Sequence, residues 1–410
     1  MTSWKEGRRV LLGVTGGIAA YKIPELVRRL KKSGCEVEIV MTRAAERFVS
    51  PLVLAALSGR RVWRQEDFLS DDRGFMIPHI RLAEWADVVA VAPCTANTAA
   101  DLAQGRGEGL ISAAILATLA PVLLFPAMNV HMFENAAVRE NFSLLARRGM
   151  KVVDPVAGEL ACGEEGKGRM PDPELIAEEI FRAASPRHDM EGLHVLVTAG
   201  PTREYMDPVR CISNPSTGRM GIAMARGAWY RGADVRLILG PVESAPYPLY
   251  GLEVTHVVSA LEMRDAVMNH LEWADVIVKA AAVGDYRAKE QAAHKVKREG
   301  HDAISVELVQ NPDIAAEVGR NKRPDQILIG FAAETDDLLK NARGKLERKR
   351  LDFILANDVL APGSGFASDT NTLRLISRDD TELISGMKED VASAVWGSLI
   401  ERKVLSVRPR

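Results

Sequence analysis

The chain reads as an α/β protein built on two doubly wound, mainly parallel sheets, and three observations predict this. Short, almost unbroken apolar runs alternate with amphipathic stretches of helical period along all 410 residues, as strands do when helices cover both faces of a parallel sheet. The alternation stops at ASPRHDME (184–191), a polar, proline-bearing connection of the kind that joins domains, and then restarts. Finally, 410 residues exceed what one core ordinarily serves, and a hydrophobic content of 47% is enough to fill two. The expected division is 1–186 and 187–410, with each domain Rossmann-like.

In the first domain RRVLLGVT is a strand, GVTGGIAAYK turns into a helix over 18–33, and EVEIVMT is the second strand. His79 precedes a helix in MIPHIRLAEWAD, ADVVAVAPCT is the third strand, and CTANT caps the helix that follows. The uncharged run 110–130 is long enough to span a bilayer, but Pro121 and Pro126 divide it into a helix and the buried strand PVLLFPAM. MKVVDPV is the last strand of this domain. The opening segment is basic and then apolar like a signal peptide, yet its glycines interrupt the apolar core and an amphipathic helix follows.

The second domain continues with HVLVTAG, helix 218–232, DVRLILG, LEVTHVVS, helix 260–273, DVIVKAAA, QILIGFAAE, helix 337–350 and DFILAND. Two antiparallel pieces decorate it: KVKREGHDAISVELV, and TLRLISRDDTELISGM with an Asp-Asp turn signal. KEDVASAVWGSLIERKV is a closing helix.

Net charge is −2 with acids and bases interspersed, which disfavours nucleic acid and anionic membranes as partners and requires any anionic ligand to be caught locally. The four cysteines, Cys35, Cys94, Cys162 and Cys211, show no C-x-x-C spacing. That argues against a disulfide framework or a zinc site and for a reducing, cytoplasmic setting.

The turn at Thr15, Gly16 and Gly17 puts free backbone amides and a helix dipole where a phosphate binds, although a tight connection alone would read the same way. The spacing departs from G-x-G-x-x-G, and Thr42 stands where a dinucleotide enzyme carries an acid. NAD is disfavoured and a mononucleotide such as FMN stays open. CTANT (94–98), Asn129 in PAMN and His79 fall at the carboxyl ends of strands or near them, each with a bland alternative as cap, turn former or surface histidine. ELACGEEGKGRM (159–170) sets Cys162 among glycines and charges, flanks too polar for a core.

In this order, GVTGGIAAYK, the His79 segment, APCTANT, PAMNVHMF and ACGEEGKGRM resemble the homo-oligomeric flavin-containing cysteine decarboxylases, across residues 6–184. Phe133 stands where family members often carry Trp or Tyr. The resemblance implies a flavodoxin-like flavoprotein domain with FMN on Thr15, Gly16, Gly17, Thr42, Thr95, Ala96 and Asn97. It further implies oxidation of a cysteine side chain to a thioaldehyde, loss of CO₂ and an enethiolate product. His79 would serve proton transfer or carboxylate orientation. Asn129 would hold the departing carboxylate, a neutral amide being preferable to a cation that stabilises the ground state. Cys162 would be the proton donor of the branch that goes on to a saturated thiol, on a flap that Gly163, Gly166 and Gly168 let close and reopen.

In the second domain STGRMG offers amides at a helix start, or merely an N-cap and close-packed glycines. Lys345 and Lys349 share one helix face. AGPTREYMDPVRCISNPSTGRMG, AAVGDYR, KVKR, NPDI, GFAAET and the K-x-x-x-K before LDFILAND resemble the phosphopantothenate–cysteine ligases, over about 190–400. Pro215, Ser216 and Thr217, and Arg298, are departures that keep the chemistry. The resemblance implies that CTP activates the carboxylate of 4′-phosphopantothenate as an acyl-cytidylate, which cysteine then attacks. Lys295 would support cytidylate formation and Asn214 the transfer to cysteine. Lys279, Ala280, Ala281, Asp285, Lys295, Asn311, Pro312, Asp313, Ile314, Phe331, Lys345 and Lys349 would hold the nucleotide. Mg²⁺ is implied by the triphosphate, with no protein ligands identifiable.

The halves complement each other, since the ligase product ends in the free cysteine carboxylate that the decarboxylase needs. The whole chain therefore resembles the bifunctional bacterial enzymes of coenzyme A synthesis, with small-molecule substrates and no nucleic-acid or membrane partner. Trimers of the first half, with a site shared between protomers, and dimers of the second would combine into a dodecamer. The competing readings are a non-catalytic regulatory protein of flavoprotein fold and a peptidyl-cysteine decarboxylase. Retention of His79, Asn129 and Cys162 speaks against the first, and the attached ligase and flap cysteine against the second.

Overall fold

The apolar runs of the first half form a five-stranded, all-parallel sheet in a computed structural model that describes residues 4–69, 76–159, 163–296, 305–334, 338–358, 368–402 and 404–405. The chain divides into two units, Thr2–Pro186 and Arg187–Arg410. In the first, β1 (Arg9–Val14), β2 (Glu36–Met41), β3 (Val88–Cys94), β4 (Val122–Pro126) and β5 (Lys151–Val152) lie in the order β2-β1-β3-β4-β5. Every residue of β3 and β4 is buried, the pattern of strands covered on both faces. The cover is α1 (Ile23–Lys32), α2 (Pro51–Ser58), α3 (Pro78–Trp85), α4 (Ala96–Ala103), α5 (Leu110–Ala117), α6 (Val130–Glu134), α7 (Ala136–Arg147) and α8 (Pro173–Ala183).

The helix expected over 18–33 begins as a 3-10 turn, Ile18–Lys22, and becomes α-helical at Ile23. Pro24 sits in the first turn of α1, where a missing N–H costs no intrahelical bond. The uncharged run 110–130 resolves into α5 and β4, and among the described residues no helix is long and apolar enough to cross a membrane. An antiparallel hairpin of β6 (Val156–Glu159) and β7 (Glu165–Arg169) follows the sheet. Cys162 lies outside the described residues.

The second unit carries an eight-stranded sheet in the order β12-β11-β8-β13-β16-β17-β18-β19. Its strands are β8 (His194–Ala199), β11 (Asp234–Leu239), β12 (Glu253–His256), β13 (Val276–Lys279), β16 (Ile327–Glu334), β17 (Phe353–Asp358), β18 (Thr370–Ile376) and β19 (Thr381–Met387). The first six in the sheet are parallel, and β17–β18 and β18–β19 pair antiparallel. Two short pairs stand apart: β9 (Arg203–Tyr205) with β10 (Cys211–Ser213), and β14 (Tyr286–Ala288) with β15 (Leu308–Gln310). The helices are α9 (Arg219–Tyr230), α10 (Ala260–Asn269), α11 (Ile314–Asn321), α12 (Leu338–Arg348) and α13 (Lys388–Glu401).

The Asp-Asp signal makes the β18–β19 turn, where Asp380 Oδ1 accepts from the Thr381 N–H at 2.7 Å. The other antiparallel expectation changes partner: the end of KVKREGHDAISVELV pairs with Tyr286–Ala288, while 297–304 lie outside the described residues. In STGRMG, a Cβ on Gly221 would come within 2.6 Å of the Ala199 Cβ, so this glycine serves the close packing of α9 on β8.

Both sheets reverse their winding beside the first strand. β2 lies on one side of β1 and β3 on the other, just as β11 and β13 flank β8. The connections leaving the two adjacent strands run to opposite faces of the sheet at such a reversal, so a crevice opens at the carboxyl ends of the strands.

Candidate active sites

The first crevice is a cavity of about 970 Å³. Thr15, Gly16 and Gly17 reach it from the end of β1, Thr42 from β2, Thr95, Ala96 and Asn97 from β3 and α4, and Asn129 from the segment after β4. All the residues expected to hold a mononucleotide are thus brought together with Asn129.

Their roles differ. Thr15 is fully buried, donates from Oγ1 to the Pro93 carbonyl at 2.7 Å and accepts from the Thr95 N–H at 3.1 Å. It therefore ties β1 to β3 across the reversal. Thr95 caps α4 by accepting from the Thr98 N–H, and Thr42 Oγ1 accepts from the Ala45 N–H at 3.2 Å. A Cβ at Gly16 would lie 2.3 Å from that of Ala44, so the turn and the loop after β2 touch only because residue 16 has no side chain. A Cβ at Gly17 would project between Pro93, Ala127 and Thr95, at 3.6, 3.8 and 3.8 Å. Two bare backbone residues and the start of α4 leave room and a positive dipole for a phosphate, and the cavity volume suits a flavin mononucleotide.

Asn129 caps α6, its Oδ1 accepting from the His131 N–H at 2.8 Å and its Nδ2 donating to Glu164 Oε2 at 2.5 Å. The hairpin seats directly on this segment: Met128 N–H donates to the Gly168 carbonyl at 3.0 Å, and a Cβ on Gly168 would stand 2.3 Å from the Met128 carbonyl oxygen. Close approach is thus a reason for Gly168 that owes nothing to mobility.

His79 is not among the described lining residues of this cavity. It sits on α3 edge-on to Phe68, ring centroids 5.3 Å apart, and its Nδ1 is buried without a hydrogen-bond partner among the described residues. Lys22, which sequence reasoning passed over as one charge of an amphipathic helix, does line the cavity. Its side chain is only 11% exposed, with Nζ donating to Asp172 at 2.9 Å and to the Met170 carbonyl at 3.3 Å. Burial pushes the Cys94 thiol up to about 12 and the Cys35 thiol to about 11, so both stay protonated at neutral pH.

The second crevice is a cavity of about 230 Å³. Lys279, Ala281, Asp285, Asn311, Pro312, Asp313, Ile314, Phe331, Lys345 and Lys349 line it; Ala280 and Lys295 are not among its described lining residues. Asp313 caps α11 by accepting from the Ala316 N–H at 3.0 Å and pairs with Lys349 Nζ at 3.0 Å. Despite partial burial, which acts the other way, these two partners hold its carboxyl below the usual range. Asn311 is engaged structurally, donating to the Gly284 carbonyl at 2.8 Å and accepting from Arg287 at 3.1 Å. Asn214 is not among the described lining residues either, but its Nδ2 donates to the carbonyls of Ala282 and Val283 at 3.2 and 3.3 Å, and Val283 lines the cavity. Burial pushes the Lys279 ammonium down to about 7, opposed by Asp313 and reinforced by Lys349.

DPVR (207–210), a motif with no assigned role in the sequence, secures the segment that carries Lys295. Asp207, 1% exposed, accepts from the N–H groups of Val209 and Arg210 at 2.8 Å and of Val296 at 3.2 Å. Arg210 pairs with Asp207 at 2.9 Å and donates to the Val296 carbonyl at 3.0 Å. The hydrogen bond from Val209, with those from Val296 and Arg210, holds the Asp207 carboxyl below its usual range. Lys295 itself is exposed. No cluster of His, Cys, Asp and Glu able to hold a metal occurs among the described residues.

A family model described as flavoprotein matches residues 2–185, and one described as the DNA/pantothenate metabolism flavoprotein C-terminal domain matches 190–402. The chain is 46% identical over 373 residues to the coenzyme A biosynthesis bifunctional protein CoaBC of Vibrio vulnificus, covering 90% of this chain and 91% of that one. The proteins of the same name from Escherichia coli and Bacillus subtilis are 44% identical over 380 residues (92% and 93% covered) and 45% identical over 375 (91% and 91%).

Proposed function

The chain belongs to the family of coenzyme A biosynthesis bifunctional proteins, and on that premise we propose that it carries out two consecutive steps of that synthesis. It is a flavoprotein decarboxylase joined to a ligase. In our reading the second unit uses CTP, with Mg²⁺, to activate 4′-phosphopantothenate as its acyl-cytidylate, and cysteine displaces CMP. The first unit then decarboxylates 4′-phosphopantothenoylcysteine to 4′-phosphopantetheine with FMN. The observation that carries this is convergence: Thr15, Thr42, Thr95 and Asn129 share one cavity, and Lys279, Asp313, Phe331 and Lys349 share another.

When bound, FMN supplies the oxidation of the cysteinyl side chain and the return of the electrons. The chain's own residues do the rest. Asn129, held by its α6 cap, would present its Nδ2 to the leaving carboxylate in place of Glu164. Cys162 would protonate carbon as the enethiolate is reduced. His79 would enter from a second copy of the chain, which accounts for its position away from the cavity of its own unit. Large apolar side chains left exposed at Leu52, Ile77 and Leu119 support such a homo-oligomer. In the ligase unit Lys345, Lys349 and Lys295 would neutralise the triphosphate, and Asn214 would hold the acyl end at the Ala282–Val283 rim. The free thiols of Cys35, Cys94 and Cys211 suit a cytoplasmic enzyme.

Purified protein is expected to be yellow and to convert phosphopantothenate, cysteine and CTP into 4′-phosphopantetheine, CO₂, CMP and pyrophosphate, as read by mass spectrometry. A colourless protein that consumes no CTP would sink the proposal. Cys162→Ser should still release CO₂ from phosphopantothenoylcysteine but deliver no 4′-phosphopantetheine. A normal yield of product would remove Cys162 from the reaction.

A further inference from the structure

We propose that Lys279 is a proton-linked binding group of the ligase unit, entering the nucleotide complex as an ammonium and taking up a proton with the phosphate chain. This rests on the reading of the second cavity as the nucleotide site. Lys279 ends β13 at the mouth of the sheet reversal, is 8% exposed, and lines the cavity. Its Nζ is buried with no hydrogen-bond partner among the described residues.

An ammonium in that position has lost its hydration without gaining acceptors, so the ligand-free site favours the neutral amine. The charged groups facing it are few. Asp313, the cap of α11, is already engaged by Lys349 and the Ala316 N–H. Lys345 and Lys349, from α12 and its end, add like charge, and Asp285 stands exposed at the rim. Gly330 and Phe331 from β16 and Ile354 from β17 contribute no titratable group. Burial accordingly places the free amine near 7.

Phosphate oxygens would supply the missing acceptors and a compensating charge, so the bound state favours the ammonium and its pKa rises on binding. The sign follows. Below about 7 the group is charged in both states and binding is unaffected. Above that value, binding must draw a proton from solution, and affinity falls by up to about tenfold per pH unit until the pKa of the complex is reached.

The test measures the dissociation constant of Mg·CTP for the full chain from about pH 6 to about pH 9, in wild type, Lys279→Met and Lys279→Arg. Calorimetry at about pH 8, in buffers of different ionisation enthalpy, counts the protons taken up. Wild type should weaken above neutrality by close to tenfold per pH unit more than Lys279→Met, with net proton uptake that both variants lack. Lys279→Arg, which cannot lose its charge, should remove the extra slope while binding better than Lys279→Met. Equal slopes in wild type and Lys279→Met, or no proton uptake by wild type, would overturn the linkage. Should the variants fail to fold, the wild-type proton count decides alone. A wild type that binds no CTP at any pH would instead overturn the nucleotide reading itself.

Discussion

Gly168→Ala should reduce CO₂ release from phosphopantothenoylcysteine by about a hundredfold or more and leave CTP-dependent ligation intact. The added methyl group would lie 2.3 Å from the Met128 carbonyl oxygen and 3.4 Å from the Val130 nitrogen. Both are backbone atoms, so rotation of a side chain gives no relief. Met128 is also hydrogen-bonded to the Gly168 carbonyl, so the hairpin and the PAMN segment must separate or shift together. Either movement displaces Asn129, the next residue. Overpacking of this kind costs about 1–3 kcal/mol, and an error of about 1 Å in a positioned group is enough for about a hundredfold in rate. The ligase unit has its own sheet and core, so CTP consumption should continue at the wild-type rate. A variant that releases CO₂ normally would show that the hairpin does not position Asn129.

Lys295→Gln should lower kcat for cytidylate formation by about a hundredfold to a thousandfold, while decarboxylation of supplied phosphopantothenoylcysteine survives. Lys295 is exposed, and glutamine keeps most of the stem and a hydrogen-bonding head while losing the charge. The melting temperature should therefore not move, which separates lost chemistry from lost folding. The neighbouring backbone stays in place because Asp207 and Arg210 bind Val296 from both sides, through its N–H and its carbonyl. Retained pyrophosphate release would exclude Lys295 from the reaction, and loss of both activities would show that the two units depend on each other.

Most strands were legible because a strand buried on both faces is an unbroken apolar run, as in VVAVAPC and VLLFP. The glycine turn, CTANT, PAMN and K-x-x-x-K were legible because phosphate recognition and capping impose local residue choices. Other features were not. Lys22 looks like an ordinary charge in the sequence, and only neighbours distant in the chain make it nearly buried beside Asp172. Lys279 is placed at the nucleotide by resemblance, but its burial near Asp313 and Lys349 is invisible there. Gly168 reads as a flexible flap residue until the Met128 carbonyl is found against it. The partner of the 308–310 strand was missed because short antiparallel pairs carry too few residues for a pattern.

By itself the sequence determined the alternation of strands and helices, the break near 186, and the chemical types gathered in each motif. These are matters of local period, turn chemistry and side-chain identity, which a chain carries whatever its neighbours. Tertiary structure alone decided which motifs meet: the order β2-β1-β3-β4-β5 opens one crevice between β1 and β3, and the order around β8 and β13 opens the other. It alone decided that Asn129 stands at the first cavity while His79 of the same unit does not line it, and that Lys279 is buried without a hydrogen-bond partner among the described residues. Burial, charge pairing and close backbone approach are properties of groups brought together from distant parts of the chain, and no local pattern encodes them.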